Sequence, residues 1–370
     1  MAAESESPSP NIVIPYEWAN AAETVTYGSV ASPIAFICGP KNSGKTTFSR
    51  HLVNVLLRRY KKVAYLDTDV GQTEFTPPGL VSLVMIDKTT PDVTIPCLKT
   101  PARCFFFGDI SSKRDPATYV SYIKKLYEHY LKEYNTNSRE EIPGKDEVPL
   151  VINTPGWVKG IGYEILVDLL RIMSPTHVVK IQISAWSKNL PSGTFWLDEE
   201  NSDLVSVIEI NAALQDHMKR SVLVRKDANL LRDLRLMAYF RQCFPRDMTI
   251  STIKELARAI AAHPPYEVPI SSIKIEHRHC KVPATEKFYS LNATIVGLAT
   301  SSDPPQCVGL GIVRGIDTFK GVLYIITPVP PPTLENVDML IQGFIQIPTS
   351  LLQMQGCVSP YMSSNVLSTK

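Results

Sequence analysis

The ten residues GPKNSGKTTF at 39–48 place Gly39, Gly44, Lys45 and Thr46 at the spacing of a phosphate-holding loop. The glycines let backbone amides wrap around phosphate oxygens, the lysine neutralises β- and γ-phosphates, and the threonine hydroxyl ligates Mg²⁺. The candidate nucleotide-binding set is Gly39, Pro40, Lys41, Asn42, Ser43, Gly44, Lys45, Thr46 and Thr47. Further on, Asp67 and Asp69 stand two apart and so share one face at the end of a strand, where carboxylates hold Mg²⁺ or act as a general base. Gln72 and Glu74 follow in DVGQTEFTPPG, the glutamine being suited to orient a hydroxyl or a water near the γ-phosphate. The plainer alternatives are a pair of turn carboxylates and an ordinary polar loop.

Two more stretches carry candidate chemistry. NTPGW at 153–157 ends another expected strand on the same crevice, and Trp157 there is placed to stack on a base or ribose, although a lone tryptophan is more often core. A basic series, Arg220, Arg225, Lys226, Arg232, Arg235 and Arg241, crosses 215–244, and Arg232 and Arg235 share a helix face. It reads either as a lid that brings arginine onto a transferring phosphoryl group or as a solvated helix face. HRHC at 277–280 offers metal ligands, but no second pair at metal-site spacing accompanies it, so it reads as ordinary loop or strand.

The elements needed to position these groups are legible around them. SPIAFICG at 32–39 is a buried strand running into the loop, TTFSRHLVNVLLRRY at 46–60 has the spacing of an amphipathic helix, and KKVAYLDTD at 61–69 returns as a strand. That order is the βαβ unit in which loop amides converge where a helix begins. Strands are expected again at 103–110, 149–156 and 176–184, with helices at 116–134 and 162–173. The expected fold is therefore α/β, a P-loop doubly wound and mainly parallel sheet with helices on both faces. Beyond Pro245 short β-like runs broken by Pro and Gly, such as KFYSLNATIVGLAT, QCVGLGIVRGI and GVLYIITPV, indicate a smaller β-rich C-terminal domain, with VPPPT as a turn or short linker inside it. The expected division is a flexible lead at 1–32, a P-loop domain at 33–245 with its lid at about 215–244, and the β-rich domain at 246–370.

Composition narrows the setting. With 370 residues, 44% of them apolar, the chain can bury a sizeable core. A formal net charge of +2 supplies no bulk field for nucleic acid, so any such binding must come from local patches. Seven cysteines without a C-x-x-C pair point to free thiols in a reducing compartment. The acidic, Ser/Pro-rich start lacks a secretory pattern, and no apolar run reaches the length of a membrane span, so a cytosolic or nuclear protein without a membrane partner is expected.

Taken together, GPKNSGKTTF, YLDTDVGQTEFTPPG, FFFGDISSKRDPATY and VINTPGWVKGIGYEILVDLLR resemble the polynucleotide 5′-hydroxyl-kinase family, closest to its nucleolar branch of pre-ribosomal RNA processing. The tail IQIPTSLLQMQGCVSPYMSSNVL is similar to that branch too. The resemblance implies that Lys45 and Thr46 bind ATP phosphates and Mg²⁺, that Asp69 activates a 5′-hydroxyl, and that Asp67 or Glu74 helps hold the metal, with Gln72 beside it. Thr154 and Gly156 match the family's T-x-G-W clasp near the phosphates, and Arg232 and Arg235 best match the exit of its lid. It further implies an RNA or DNA acceptor with a 5′-OH end, a pre-rRNA-processing endonuclease as partner, and a nuclear, nucleolar location. An ATP-binding assembly subunit with little kinase activity and a nucleotide-switch NTPase stand as alternatives, the latter without the [NT]-K-x-D of a guanine reader.

Overall fold

A computed structural model of the protein describes residues 14–28, 31–90, 97–135, 147–197, 205–213 and 227–352. Its first half runs α1 (Tyr16–Tyr27), β1 (Ile34–Cys38), α2 (Lys45–Leu56), β2 (Val63–Asp67), β3 (Leu80–Ile86), β4 (Arg103–Phe106), α3 (Pro116–Glu133), β5 (Leu150–Asn153), α4 (Ile161–Met173), β6 (His177–Gln182) and β7 (Ser206–Asn211). There follow α5 (Ala228–Arg241), α6 (Ile253–Ala262), β8 (Tyr266–Pro269), β9 (Lys274–His277), α7 (Lys287–Leu291), β10 (Ile295–Thr300), β11 (Gln306–Asp317), β12 (Val322–Ile326), α8 (Pro331–Leu334), β13 (Met339–Gln342) and α9 (Thr349–Leu352). The chain forms two compact units: Met1–Tyr65, Ile86–Cys97 and Tyr134–Ser221 make the first, and Leu66–Met85, Leu98–Glu133 and Val222–Lys370 the second.

In the first unit β1 pairs in parallel with β5 on one side and β6 on the other, and β6 with β7. Every residue of β1 is buried, which accounts for its unbroken apolar sequence: a strand covered on both faces has no solvent side to make polar. Parallel pairing brings the carboxyl ends of β1 and β5 to one edge, with Ile37 opposite Asn153, so the chain leaves both strands together. Helix α2 buries Phe48, Leu52, Val53, Val55 and Leu56, the stripe expected from its spacing.

In the second unit β3 pairs antiparallel with β4, β4 meets β11, and β11 pairs antiparallel with β10 and β12. Strand β13 joins β10 antiparallel and β9 parallel. Ile295 and Ala299 of β10 face a core with Phe106, Phe240 and Leu310, whereas Val296 and Leu298 face one with Val313, Leu323 and Leu340. Side chains alternate along a strand, so one strand seals two cores.

Several elements differ from expectation. Residues 16–27 of the expected flexible lead form α1, whose Trp18, Ala21, Ala22 and Val25 are buried along one stripe. KFYSL at 287–291, expected as the start of a strand, is the helix α7, and VPPPT opens α8, its prolines at the first helical positions where no N–H is needed. Residues 214–226 of the expected lid, with Arg220, Arg225 and Lys226, lie outside the described residues, and α5 supplies the rest. Among the described residues no helix is long and apolar enough to cross a membrane.

Candidate active site

The loop between β1 and α2 is shaped by residues at positive φ: Gly39 at 144°, Asn42 at 63° and Gly44 at 92°. A Cβ on Gly39 would stand 2.3 Å from the Ile181 carbonyl oxygen, and one on Gly44 would stand 2.7 Å from the Trp18 ring. Lys45 opens α2 and folds back, its Nζ donating to the Pro40 carbonyl at 2.7 Å. Thr46 and Thr47 are half-buried in the same first turn, while Lys41 and Asn42 are exposed. No side chain caps this helix start and no acidic residue occupies its first turn, so its amides and positive dipole end are left for an anion. Ser43 is buried, and among the described residues its hydroxyl has no hydrogen-bond partner. These features fit the phosphates of ATP: an uncapped amide cradle, a lysine at its mouth and an unsatisfied hydroxyl inside it.

The turn after β5 is built against that loop. Thr154 Oγ1 donates to the Ile37 carbonyl at 2.7 Å. At Gly156 a Cβ would lie 2.5 Å from both N and Cα of Lys41, so only glycine permits this approach. Trp157 is half-buried and lies over Gly162 in the first turn of α4. The first unit thus brings Gly39–Thr47 together with Thr154 and Gly156.

Two residues of this unit escape a reading of the sequence. Trp18 meets Phe48 edge-on at 5.6 Å, covers Gly44, and donates from Nε1 to the Asn211 carbonyl, so α1 backs the phosphate loop. Lys180, opposite Cys38 in register, is 2% exposed, pairs with Glu209 at 2.5 Å and donates to the Pro191 and Gly193 carbonyls. A lysine within the apolar run HVVKIQ was the available signal. Burial pushes the Cys38 thiol up to about 12, against the opposing charges of Lys180 and Lys45, so it stays neutral.

In the second unit the carboxylates at the end of β2 and just beyond it organise their own turn. Asp67 accepts from the amide of Glu74 at 2.6 Å through Oδ2 and from that of Asp69 at 3.3 Å through Oδ1. Asp69 Oδ1 accepts from the amides of Gly71 and Gln72, both at 3.0 Å, while Oδ2 takes part in neither bond. Gln72 is half-buried beside them. Arg235 of α5 donates to the Glu74 carbonyl and pairs with Glu74 Oε2 at 3.1 Å, the two side chains being 14% and 5% exposed. Arg232 instead bonds Asn229 Oδ1 within its own helix. Hence Asp67, Asp69, Gln72, Glu74 and Arg235 form one cluster, and Arg232 stands outside it.

Tyr119, from α3, is the residue missed here. Its hydroxyl donates to the Thr68 carbonyl at 2.6 Å and so fixes the peptide that leads into Asp69. Burial raises this hydroxyl well above its ordinary value, and the charges of Asp69 and Asp67 push it the same way, so it remains a neutral donor. Gly71 has the Ile110 carbonyl 2.5 Å from where a Cβ would be, which packs the Asp69 turn on the loop after β4.

Comparison with known proteins identifies the combination. Residues 39–242 match the family model of the mRNA cleavage and polyadenylation factor CLP1 P-loop, and residues 261–348 match that of the NOL9-like C-terminal domain. A protein of Arabidopsis thaliana named polynucleotide 5′-hydroxyl-kinase NOL9 is 58% identical over 362 residues, covering 96% of this chain and 97% of the relative. Proteins of the same name from Danio rerio and Homo sapiens are 31% and 30% identical over 90% of this chain, which spans 49% and 52% of them. Among solved structures, one of the wild-type Clp1p–Pcf11p (454–563) complex aligns with a TM-score of 0.62 at 16% identity, over 89% of this chain and 78% of that one, a likeness of fold. The chain belongs to the polynucleotide 5′-hydroxyl-kinase NOL9 family and carries its P-loop in the CLP1 form.

Proposed function

We propose that the protein is an ATP-dependent polynucleotide 5′-hydroxyl-kinase that moves the γ-phosphate of ATP to the 5′-hydroxyl of RNA. The observation that carries this reading is the state of Asp69: two backbone amides fix Oδ1, and Oδ2 is left to accept a proton from an acceptor hydroxyl. The amides of Gly39–Thr47 hold the triphosphate, with Thr154 and Gly156 setting the shape of the loop's rim. Lys45 gives up the Pro40 carbonyl for the β- and γ-phosphates. Thr46 and Asp67, both hard oxygen donors, would hold Mg²⁺, which when bound neutralises phosphate charge.

As the 5′-oxygen bonds to the γ-phosphorus its proton passes to Asp69, and the bond to the β-phosphate oxygen breaks to leave ADP. Such transfer depends on position and charge more than on covalent chemistry. Arg235 is the arginine suited to steady the moving phosphoryl group. Glu74, committed to Arg235, acts by holding that guanidinium in place. Gln72 orients the acceptor and Trp157 stacks on it.

We infer a finer setting from the resemblance of the four motifs, RNA with a 5′-OH end left by a pre-rRNA-processing endonuclease, and the NOL9 name of the relatives supports a place in the nucleolus. Labelled γ-phosphate should pass to a single-stranded RNA with a 5′-hydroxyl and not to the same RNA ending in a 5′-phosphate. Equal labelling of both, or hydrolysis of ATP without labelled RNA, would overturn the assignment.

A further inference from the structure

A row of rings in contact in the second unit starts beside Asp69 and ends in solvent. From Tyr119, which holds the Thr68 carbonyl, the row passes to Phe107, edge-on at 5.9 Å, and then to His279 at 4.8 Å. His279 lies 6.1 Å from Phe344 with ring planes 17° apart, and the Arg114 guanidinium covers Phe344 at 4.6 Å. Exposure rises along the row, from 0% at Tyr119 and Phe107 to 42% at Phe344 and 56% for the Arg114 side chain.

The row is held rigidly. His279 Nε2 donates to the Phe107 carbonyl at 2.7 Å, and because a carbonyl only accepts, the proton is on Nε2. The Phe344 amide donates to the Gly108 carbonyl at 2.6 Å, where Gly108 and Gly343 approach too closely for any Cβ. Arg114 Nε pairs with Asp109 at 2.9 Å, and Asp109 belongs to the loop that receives Gly71.

Exposed cations lie beside the row in sequence, Lys113 next to Arg114 and Lys281 two residues after His279. Two neighbouring acids are paired with cations, Asp109 with Arg114 and Glu276 with Arg278 at 2.8 Å, while Asp115 accepts from the Thr118 amide at 3.1 Å. A half-exposed Phe344 covered by a guanidinium, with exposed lysines close by in sequence, matches a single-stranded nucleic acid, whose bases stack on aromatic and guanidinium planes while its phosphates seek lysine.

We propose that the Arg114–Phe344 end of this row is a stacking platform for the single-stranded acceptor, a base of which continues the stack while neighbouring phosphates meet Lys113 and Lys281. The assignment rests on the kinase reading for the identity of the strand. By joining the platform to the Thr68 peptide, Tyr119 and Phe107 couple seating of the strand to the placement of Asp69.

Binding of a 3′-fluorescent, 5′-OH single-stranded RNA, measured by anisotropy without ATP over a salt series, tests this in the full chain. Phe344→Ala should weaken binding about tenfold, within the range a base–aromatic stack supplies, and Phe344→Trp should restore it. Lys113→Gln with Lys281→Gln should lower the slope of log K against log salt by about 1.4, at ~0.7 for each lost single-strand phosphate contact. ATP affinity and melting temperature should hold in all of them. Wild-type RNA affinity in Phe344→Ala and an unchanged slope in the lysine pair would overturn the platform, also if the same variants lost a protein partner instead. Should Phe344→Ala fail to fold, an unchanged slope in the lysine pair alone overturns it. The two readings separate cleanly: phosphorylation of RNA with these results unchanged removes the platform and keeps the kinase, whereas RNA binding lost in the variants of a wild type that transfers no phosphate does the reverse.

Discussion

At Asp69, one carboxylate oxygen is locked by the amides of Gly71 and Gln72, so an amide side chain of the same shape can keep the turn and lose the base. Asp69→Asn should therefore lower kcat by about 10²–10⁴, the usual share of general-base catalysis, with ATP affinity unchanged by isothermal titration. Gly156 poses the opposite case, because a methyl there meets the Lys41 backbone at 2.5 Å. Gly156→Ala should raise the KM for ATP about tenfold, as overpacking by ~1–3 kcal/mol shifts the loop, while the RNA affinity holds. Arg235 and Glu74 form a mostly buried pair, so Arg235→Ala takes the guanidinium away from a buried carboxylate and should cost about 3–5 kcal/mol in denaturant unfolding. The double variant Glu74→Gln, Arg235→Met should lose less. Burial pushes the thiols of Cys38 and Cys243 up to about 12, whereas Cys280 is exposed. Brief iodoacetamide treatment at pH 8, read by peptide mass spectrometry, should modify Cys280 and spare those two, since only a thiolate attacks.

At the scale of elements, β1, the phosphate loop and α2 were legible because three local signals agree there: a continuous apolar run, glycines at fixed spacing, and a helical stripe. Helix α1 was not. Its apolar side consists of one tryptophan and small residues, it follows Pro15 with no side-chain cap, and it sits in a Ser/Pro-rich lead, so tertiary packing on Phe48 and Gly44 decides it. The antiparallel β3 was equally silent, since its apolar run LVSLVMI carries no sign of direction. Carboxylates and arginines were found by type and spacing. The sequence could not tell that each Asp67 oxygen would accept an amide of its own turn or that Glu74 would pair with Arg235. Tyr119 and the stack beyond it were illegible because Phe107, Arg114, His279 and Phe344 meet only through the fold. Trp18→Ala tests the role of α1: it should destabilise the protein by about 3–5 kcal/mol, as expected for a buried Trp→Ala cavity, and raise the KM for ATP by releasing Gly44.

For the molecule as a whole, this chain spans nearly all of its Arabidopsis relative and about half of the Danio and human ones, so what it shares with all three is the P-loop and the NOL9-like C-terminal domain. If those parts hold the phosphoryl-transfer machinery, the 370-residue chain should work alone, without an added partner. The most direct measurement is single-turnover transfer of labelled γ-phosphate from ATP to a 5′-OH single-stranded RNA by the purified chain, with Asp69→Asn and Lys45→Ala beside it. Label on the RNA at the wild-type level only in the unsubstituted chain, with ATP still bound by Asp69→Asn, is the expected result. Undiminished transfer by either variant, or tightly bound ATP with no transfer by the wild type, would contradict a kinase built on Lys45 and Asp69.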